Sequence, residues 1–353
     1  MKSRRRSALR RVPAPALAAV LAFSLSACFL AGTPAPAPSD LRALEAQVNA
    51  RPADTDAALR LAAAYRAAGR LDDARVLLER TVANAPRGEG AILLLGVTYE
   101  ELGRLPDARA FYARYDSDGY PPSLRDLARG RLAVVERLEL RQAAKDAVAR
   151  EGALSSTPPV PRTVAVFPFV LQGGDDRLRP LSRALAEMLT TDLAQTDRLT
   201  PLERARVQAL LDEAALTAGG LAEPGTAVRG GRLLGAANVV QGRIGGAAGI
   251  DGALRLDAQL VSVGAEGMRP ALSRQTDARL VLDAEKALAL DLYDQLGVQL
   301  TAAERERVQR RPTQNLQALL AFGLGLERQD AGDFAAAAAA FRRAAALDPA
   351  FAA

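Results

Sequence analysis

Leu61, Tyr65, Gly69, Leu71 and Ala74 return 34 residues later as Leu95, Tyr99, Gly103, Leu105 and Ala108, and Leu78 is matched by Tyr112. An offset that long and that regular leaves few folds open. Each unit must be one supersecondary element that cannot bury its apolar face alone and therefore stacks on its neighbours. The matched positions have mechanical roles. Small residues let paired helices approach, Gly69 and Gly103 permit a tight turn between them, and Pro86 stops the first unit. The strict copies span residues 55–120. Because about three units are needed for a stable stack, helices expected at residues 41–50 and 123–150 are read as flanking layers.

These positions resemble the helix–turn–helix consensus of tetratricopeptide repeats. By that family's geometry, Leu59, Ala63, Arg66, Leu93, Val97 and Glu100 line the concave face, where such repeats bind peptides. The alternative is that they are packing and solvated positions, since no cluster of like charges marks a groove. A third unit matches over residues 318–351 through Ala321, Leu324, Gly325, Gly332, Phe334, Ala337, Phe341, Ala344 and Pro349. No polar capping helix follows it, so its apolar edge is expected to pack on the neighbouring α/β segment or on another subunit.

Between the repeats, residues 164–263 carry a different pattern. Val164-Ala-Val-Phe-Pro-Phe-Val170 is a hydrophobic run that predicts a buried strand. Gly173-Gly-Asp-Asp176 is a turn without the Lys-Ser/Thr of a phosphate-binding loop. Leu178, Leu181, Leu185, Met188 and Leu189 fall at helical spacing, as do Val207, Leu210, Leu211 and Ala214 in a second segment over residues 199–213. Alternating strands are expected at 238–244 and 253–263, a further strand at 271–280, and a helix at 283–300. Thr301-Ala-Ala-Glu304 is a capping box that opens one more helix, broken by Pro312.

Three segments carry a further resemblance. The Val-Ala-Val-Phe-Pro-Phe opening is followed by Leu-Glu-Arg-x-x-Val-x-x-Leu-Leu-x-Glu at residues 202–213 and Leu-Leu-Gly-Ala-x-x-Val-Val-x-Gly at 233–242. Together they resemble the curli-secretion (CsgG/HfaB-type) lipoprotein family over residues 163–300. Several periplasmic lipoproteins and the amino-terminal domain of the Tol-system propeller protein share the general layout. One departure is Pro201, where the family has a β-branched strand residue. Proline needs an edge strand or a helix start, and Thr200-Pro201-Leu202-Glu203 reads as a capping box, so the local strand is expected to be short or missing. Glu203 and Arg204 are assigned to capping and ion pairing rather than catalysis.

The family resemblance also raises a pore. Its members assemble as rings whose hairpins form an outer-membrane barrel, which makes a CsgG-like secretion channel the alternative function and second copies of the chain a candidate partner. Leu254, Leu256, Ala258 and Leu260 alternate with Arg255, Asp257 and Gln259, while residues 271–280 are polar on both faces. That pattern suits a half-buried sheet better than a lipid-facing strand.

The amino terminus reads as an address. Residues 1–11 are basic, residues 14–27 are apolar, and Leu25-Ser26-Ala27-Cys28 resembles the lipobox of bacterial lipoproteins. The resemblance implies acylation of Cys28 and, with Phe29 in place of Asp, transfer to the outer membrane; an ordinary cleaved signal peptide is the alternative. Residues 31–39 form a Pro-rich tether. Removing residues 1–27 takes away six basic side chains and turns the formal charge of +5 into about −1, which argues against nucleic acid as a partner.

The chain has no histidine and one cysteine, which removes His-based catalysis, HExxH metal sites, internal disulfides and Cys-rich zinc sites. No catalytic residue, metal ligand or cofactor is assigned. The expected fold class is an α+β multidomain chain, with tetratricopeptide-type helical repeats flanking a CsgG-like α/β domain with a mixed sheet. Its expected divisions are a signal peptide (1–27), tether (28–39), repeat domain (40–150), linker (151–162), CsgG-like domain (163–300) and carboxy-terminal helix and repeat (301–353). The expected function is a non-enzymatic, lipid-anchored adaptor on the periplasmic face of the outer membrane, with envelope proteins or peptides as partners.

Overall fold

A computed structural model describes residues 41–154, 156–216, 221, 223–246, 252–264 and 269–351. The signal segment, Cys28 and the Pro-rich tether lie outside the described residues. The chain divides into two compact units, one ending at Leu127 and one starting at Ala128.

The first unit is a stack of helices: α1 (Leu41–Ala50), α2 (Thr55–Ala67), α3 (Leu71–Asn84), α4 (Glu89–Glu101), α5 (Leu105–Ala113) and the start of α6 (Pro122–Ala149). The repeat extends to its polar bonds. Tyr65 donates to Glu45 and Tyr99 to Glu79, each at 2.9 Å. Arg70 lies over the Tyr65 ring and bonds Asp73; Arg104 lies over the Tyr99 ring and bonds Asp107. Burial, reinforced by Glu79, pushes the Tyr99 hydroxyl up to about 12. Gly69 and Gly103 take positive φ values of 73° and 70°, as the turn between paired helices requires. Gly96 answers a second demand: a Cβ there would fall 2.1 Å from the Tyr112 ring, so α5 can close on α4 only without a side chain.

The second unit continues α6 and adds α7 (Glu151–Leu154), β1 (Val160–Val166), β2 (Val170–Gln172), α8 (Leu181–Leu193), β3 (Thr200–Pro201), α9 (Arg204–Glu213) and α10 (Pro224–Leu234). It then adds β4 (Ala236–Gly246), β5 (Ala253–Ser262), β6 (Leu272–Asp277), α11 (Val281–Gln295), α12 (Ala302–Gln309), α13 (Leu316–Ala331) and α14 (Phe334–Leu347). The sheet runs β3-β1-β4-β5-β6, with β2 also paired to β4. It is mixed: β1 and β2 run parallel to β4, and β3 to β1, while β5 and β6 are antiparallel.

The alternation of β4 and β5 sorts the two faces. Val240 and Ile244 with Leu254, Leu256, Ala258 and Leu260 join the core built from α8, α11 and α13. Val239, Val261 and Val263 lie in the opposite core with α9 and α10. Farther along that second face the residues turn polar, with Gln241 opposite Gln259 and Arg243 opposite Asp257.

Several expectations shift. The run 164–170 is not one strand: β1 ends at Val166 and pairing resumes at Val170. Pro168 lacks the ladder donor that would carry the pairing through. β1 also begins earlier, at Val160, with a register shift before Val164 and Arg162 at a φ of 65°. Thr200-Pro201 is a two-residue edge strand rather than a capping box; Leu202 N–H donates to Val164 at 2.8 Å, and α9 starts at Arg204 without a side-chain cap. The helix expected to reach residue 300 stops at Gln295, where Gly297 turns left-handed at φ 71°. The Thr301–Glu304 capping box is present, and the Thr301 backbone and side chain, with Arg198, pull the Glu304 carboxyl down to about 2.

The carboxy-terminal hairpin α13–α14 has the repeat geometry. A Cβ on Gly325 would meet the Phe341 ring at 2.4 Å, the same arrangement as Gly96 and Tyr112. Its apolar edge is covered by the α/β domain: Leu319, Leu320, Phe322 and Leu326 enter the core shared with α8 and α11. Contact is closest at Gly323, where a Cβ would sit 2.1 Å from the Pro180 carbonyl oxygen. Gly323→Ala is therefore expected to destabilise the protein by about 1–3 kcal/mol or more, because backbone cannot yield as a side chain does. Gly130→Ala in α6 meets nothing within 4 Å and should stabilise by about 1 kcal/mol. Urea unfolding of the two variants side by side checks the pair.

Candidate interaction site

The six residues expected on the groove face all lie on the first helices of the two strict repeats. Leu59, Ala63 and Arg66 follow one another along α2; Leu93, Val97 and Glu100 do so along α4. All six are partly buried, and none is fully enclosed. A Cβ on Gly90 would lie 3.2 Å from Leu59 Cδ1, so the absence of a side chain at the start of α4 leaves Leu59 its place beside that helix.

The two charged members are held within the unit. Arg66 Nε donates to Glu101 Oε2 at 3.0 Å, with a second bond from Nη2 to Oε1. The Tyr112 hydroxyl donates to Glu100 at 3.0 Å. The apolar members are Leu59, Ala63, Leu93 and Val97. One further residue belongs with them: Leu127, 34 positions after Leu93 as Leu93 is after Leu59, is partly buried at the start of α6. The same step links Glu89 and Ser123, which are joined by a 2.8 Å hydrogen bond. The offset itself was the signal for Leu127, hidden because α6 runs past the length of a repeat helix.

A second constellation ties four helices of the second unit. Asp330 on α13 accepts from Arg183 of α8 at 2.7 Å and from Arg204 of α9 at 2.6 Å, and Arg204 also bonds Glu187 of α8 at 3.0 Å. Arg137 of α6 donates to the Asp330 carbonyl at 3.0 Å, a cation placed at the electronegative end of α13. The sequence expectation of ion pairing by Arg204 holds, with Glu187 and Asp330 as partners. The separations are too long for any local pattern to reveal. Among the described residues there is no cluster of three His, Cys, Asp or Glu side chains arranged to hold a metal ion.

Helical repeat hairpins with a mixed-sheet α/β domain define the fold class of this chain. Family models place that class: the curli production assembly/transport component CsgG matches residues 145–246, and the tetratricopeptide repeat matches residues 67–128. The two matches fall on the segments that the sequence resemblances pointed to, CsgG-type and tetratricopeptide. Neither family is enzymatic, and the CsgG family is one of outer-membrane-associated lipoproteins. No match was found among curated proteins. Among solved structures, the LpoB C-terminal domain from Salmonella enterica is similar at 14% identity, covering 39% of this chain and 97% of that one, with a TM-score of 0.24. Among the described residues, no helix is long and apolar enough to cross a membrane.

Asp330 is the most exposed of these bonds to loss by a single change. Asp330→Asn leaves two guanidinium groups around a neutral amide, with Arg204 only 6% exposed. The expected cost is about 3–5 kcal/mol, read as a lower midpoint in thermal unfolding followed by circular dichroism.

Proposed function

We propose that this protein is a lipid-anchored adaptor of the bacterial cell envelope, without catalytic activity of its own, that holds envelope proteins through peptide segments bound along its repeats. A role in envelope protein interaction or in secretion agrees with both matched families. The observation that carries the reading is the leucine track Leu59–Leu93–Leu127, one partly exposed residue per repeat, flanked by charges already engaged within the unit. Such a face recognises apolar side chains of a partner rather than its charges. In this reading Cys28 carries the acyl chains, residues 28–39 tether the folded part, and the protein stays at the periplasmic face of the outer membrane. Two or more acyl chains make such an anchor stable where one does not.

Leu93→Glu with Val97→Glu tests the groove. Both positions are partly exposed, so the melting temperature should move little while peptide binding falls at least about tenfold, the effect of losing roughly 1.4 kcal/mol. A displayed random-peptide library, panned on the purified protein, should enrich apolar peptides on the original chain and not on the double variant. Equal enrichment on both would exclude this face. The anchor is tested separately: labelled palmitate should enter the original protein and not Cys28→Ser, which should leave the membrane fraction. An unlabelled, freely soluble original chain would refute the anchor.

A further inference from the structure

The core between α8 and α11 contains three ionisable side chains. Asp192 on α8 is 4% exposed, and Glu285 and Lys286 on α11 are 1% and 6% exposed. Lys286 Nζ lies 2.7 Å from Asp192 Oδ2 and 3.2 Å from Glu285 Oε2. The second approach lacks hydrogen-bonding geometry, so both Glu285 oxygens are buried without a hydrogen-bond donor. The Tyr293 hydroxyl donates to the Asp192 backbone carbonyl at 2.6 Å.

Two carboxyls and one ammonium in an apolar core leave one negative charge too many. An uncompensated buried charge is expensive, and a carboxyl relieves it by keeping its proton. Among the described residues, Lys286 is the one cation bonded to this cluster. On α8, Arg183 and Glu187 are engaged with Asp330 and Arg204. On α11, Asp283 pairs with Arg311 and Asp291 with Arg274 of β6. Glu304 of α12 pairs with Arg198.

We propose that the α8–α11 joint is a proton-loaded latch: folding traps one proton between the Asp192 and Glu285 carboxyls beside Lys286, and losing that proton weakens the hold of α11 on α8. Burial, then the Asp192 charge, pushes the Glu285 carboxyl well above the usual carboxylate range, and burial also raises Asp192. Burial opposes the Lys286 charge, but Glu285 and Asp192 outweigh it and raise its pKa. The sign follows from linkage. Above the ordinary carboxylate pKa the folded state holds a proton that the unfolded chain has released, so stability falls as pH rises until the folded pKa is passed.

The missing histidine makes this readable. With no histidine in the chain, no imidazole contributes between about pH 5.5 and 8.5. Carboxyls with lowered pKa, such as Glu304, Glu151 and Asp175, contribute stability that is lost only as pH falls below that window.

The test is urea unfolding of the full chain and of Glu285→Gln across that window. Gln keeps the shape of the protonated acid and cannot lose the proton. The ratio of original to variant unfolding constants is expected to rise by up to tenfold per pH unit, the signature of one linked proton. Asp192→Asn should also flatten the slope, because Glu285 can then ionise against Lys286. A ratio that does not change with pH, an Asp192→Asn protein with the full original slope, or a Glu285→Gln chain that fails to fold at neutral pH would each overturn the latch.

Discussion

Strand β4 is paired along both edges and buried on both faces over residues 239–242, and the α/β unit forms only if helices and rings can come close to it. The space is made by glycine. A Cβ on Gly231 would strike Val263 at 2.4 Å and Val239 at 2.8 Å, one on Gly230 would reach the Phe167 ring at 2.7 Å, and one on Gly242 would reach the Phe169 ring at 2.3 Å. These approaches seat α10 on one face of the sheet and Phe169 on the other. Protein interiors are packed too tightly to absorb an extra methyl at three such places. The backbone freedom that glycine costs in a helix is therefore outweighed by the packing it permits.

The same glycines explain what was hard to see in the sequence. Helix α10 has no counterpart among the sequence expectations, because Pro224, Gly225, Gly230 and Gly231 weaken its local helical signal. Its helical state is decided by the sheet it packs on, not by propensity. The repeats were legible for the opposite reason: every unit restates the same short-range instructions. The two faces of β4 and β5 could be read from alternation, whereas Thr200-Pro201 was ambiguous between cap and strand until its parallel neighbour β1 was in place. The bonds from Arg204 and Arg183 to Asp330 join residues 126 and 147 positions apart and leave no periodic trace.

In the first unit, several polar side chains of the repeat helices are satisfied internally. Tyr65 and Tyr99 are held by Glu45 and Glu79, Arg66 by Glu101, and Tyr112 is spent on Glu100. Exposed pairs of this kind add little stability one by one. Their larger effect is on recognition. A face whose charges are already answered offers a partner mainly apolar area, which the leucine track supplies.

Charge counting separates the two ionic clusters of the second unit. Around Asp330, the carboxylates of Asp330 and Glu187 meet the guanidinium groups of Arg183 and Arg204, two against two, with Arg137 turned to a helix carbonyl. Between α8 and α11 the count is two carboxyls against one ammonium, and the imbalance lies deeper in the core. A balanced cluster can fasten helices together through charge alone. An unbalanced one must draw its missing positive charge from solvent as a proton, which couples the packing of α11 to the pH of the surroundings. The two clusters share α8, with Arg183 and Glu187 in its first half and Asp192 near its end. That helix therefore carries a joint made by fixed charges at one end and one completed by a proton at the other.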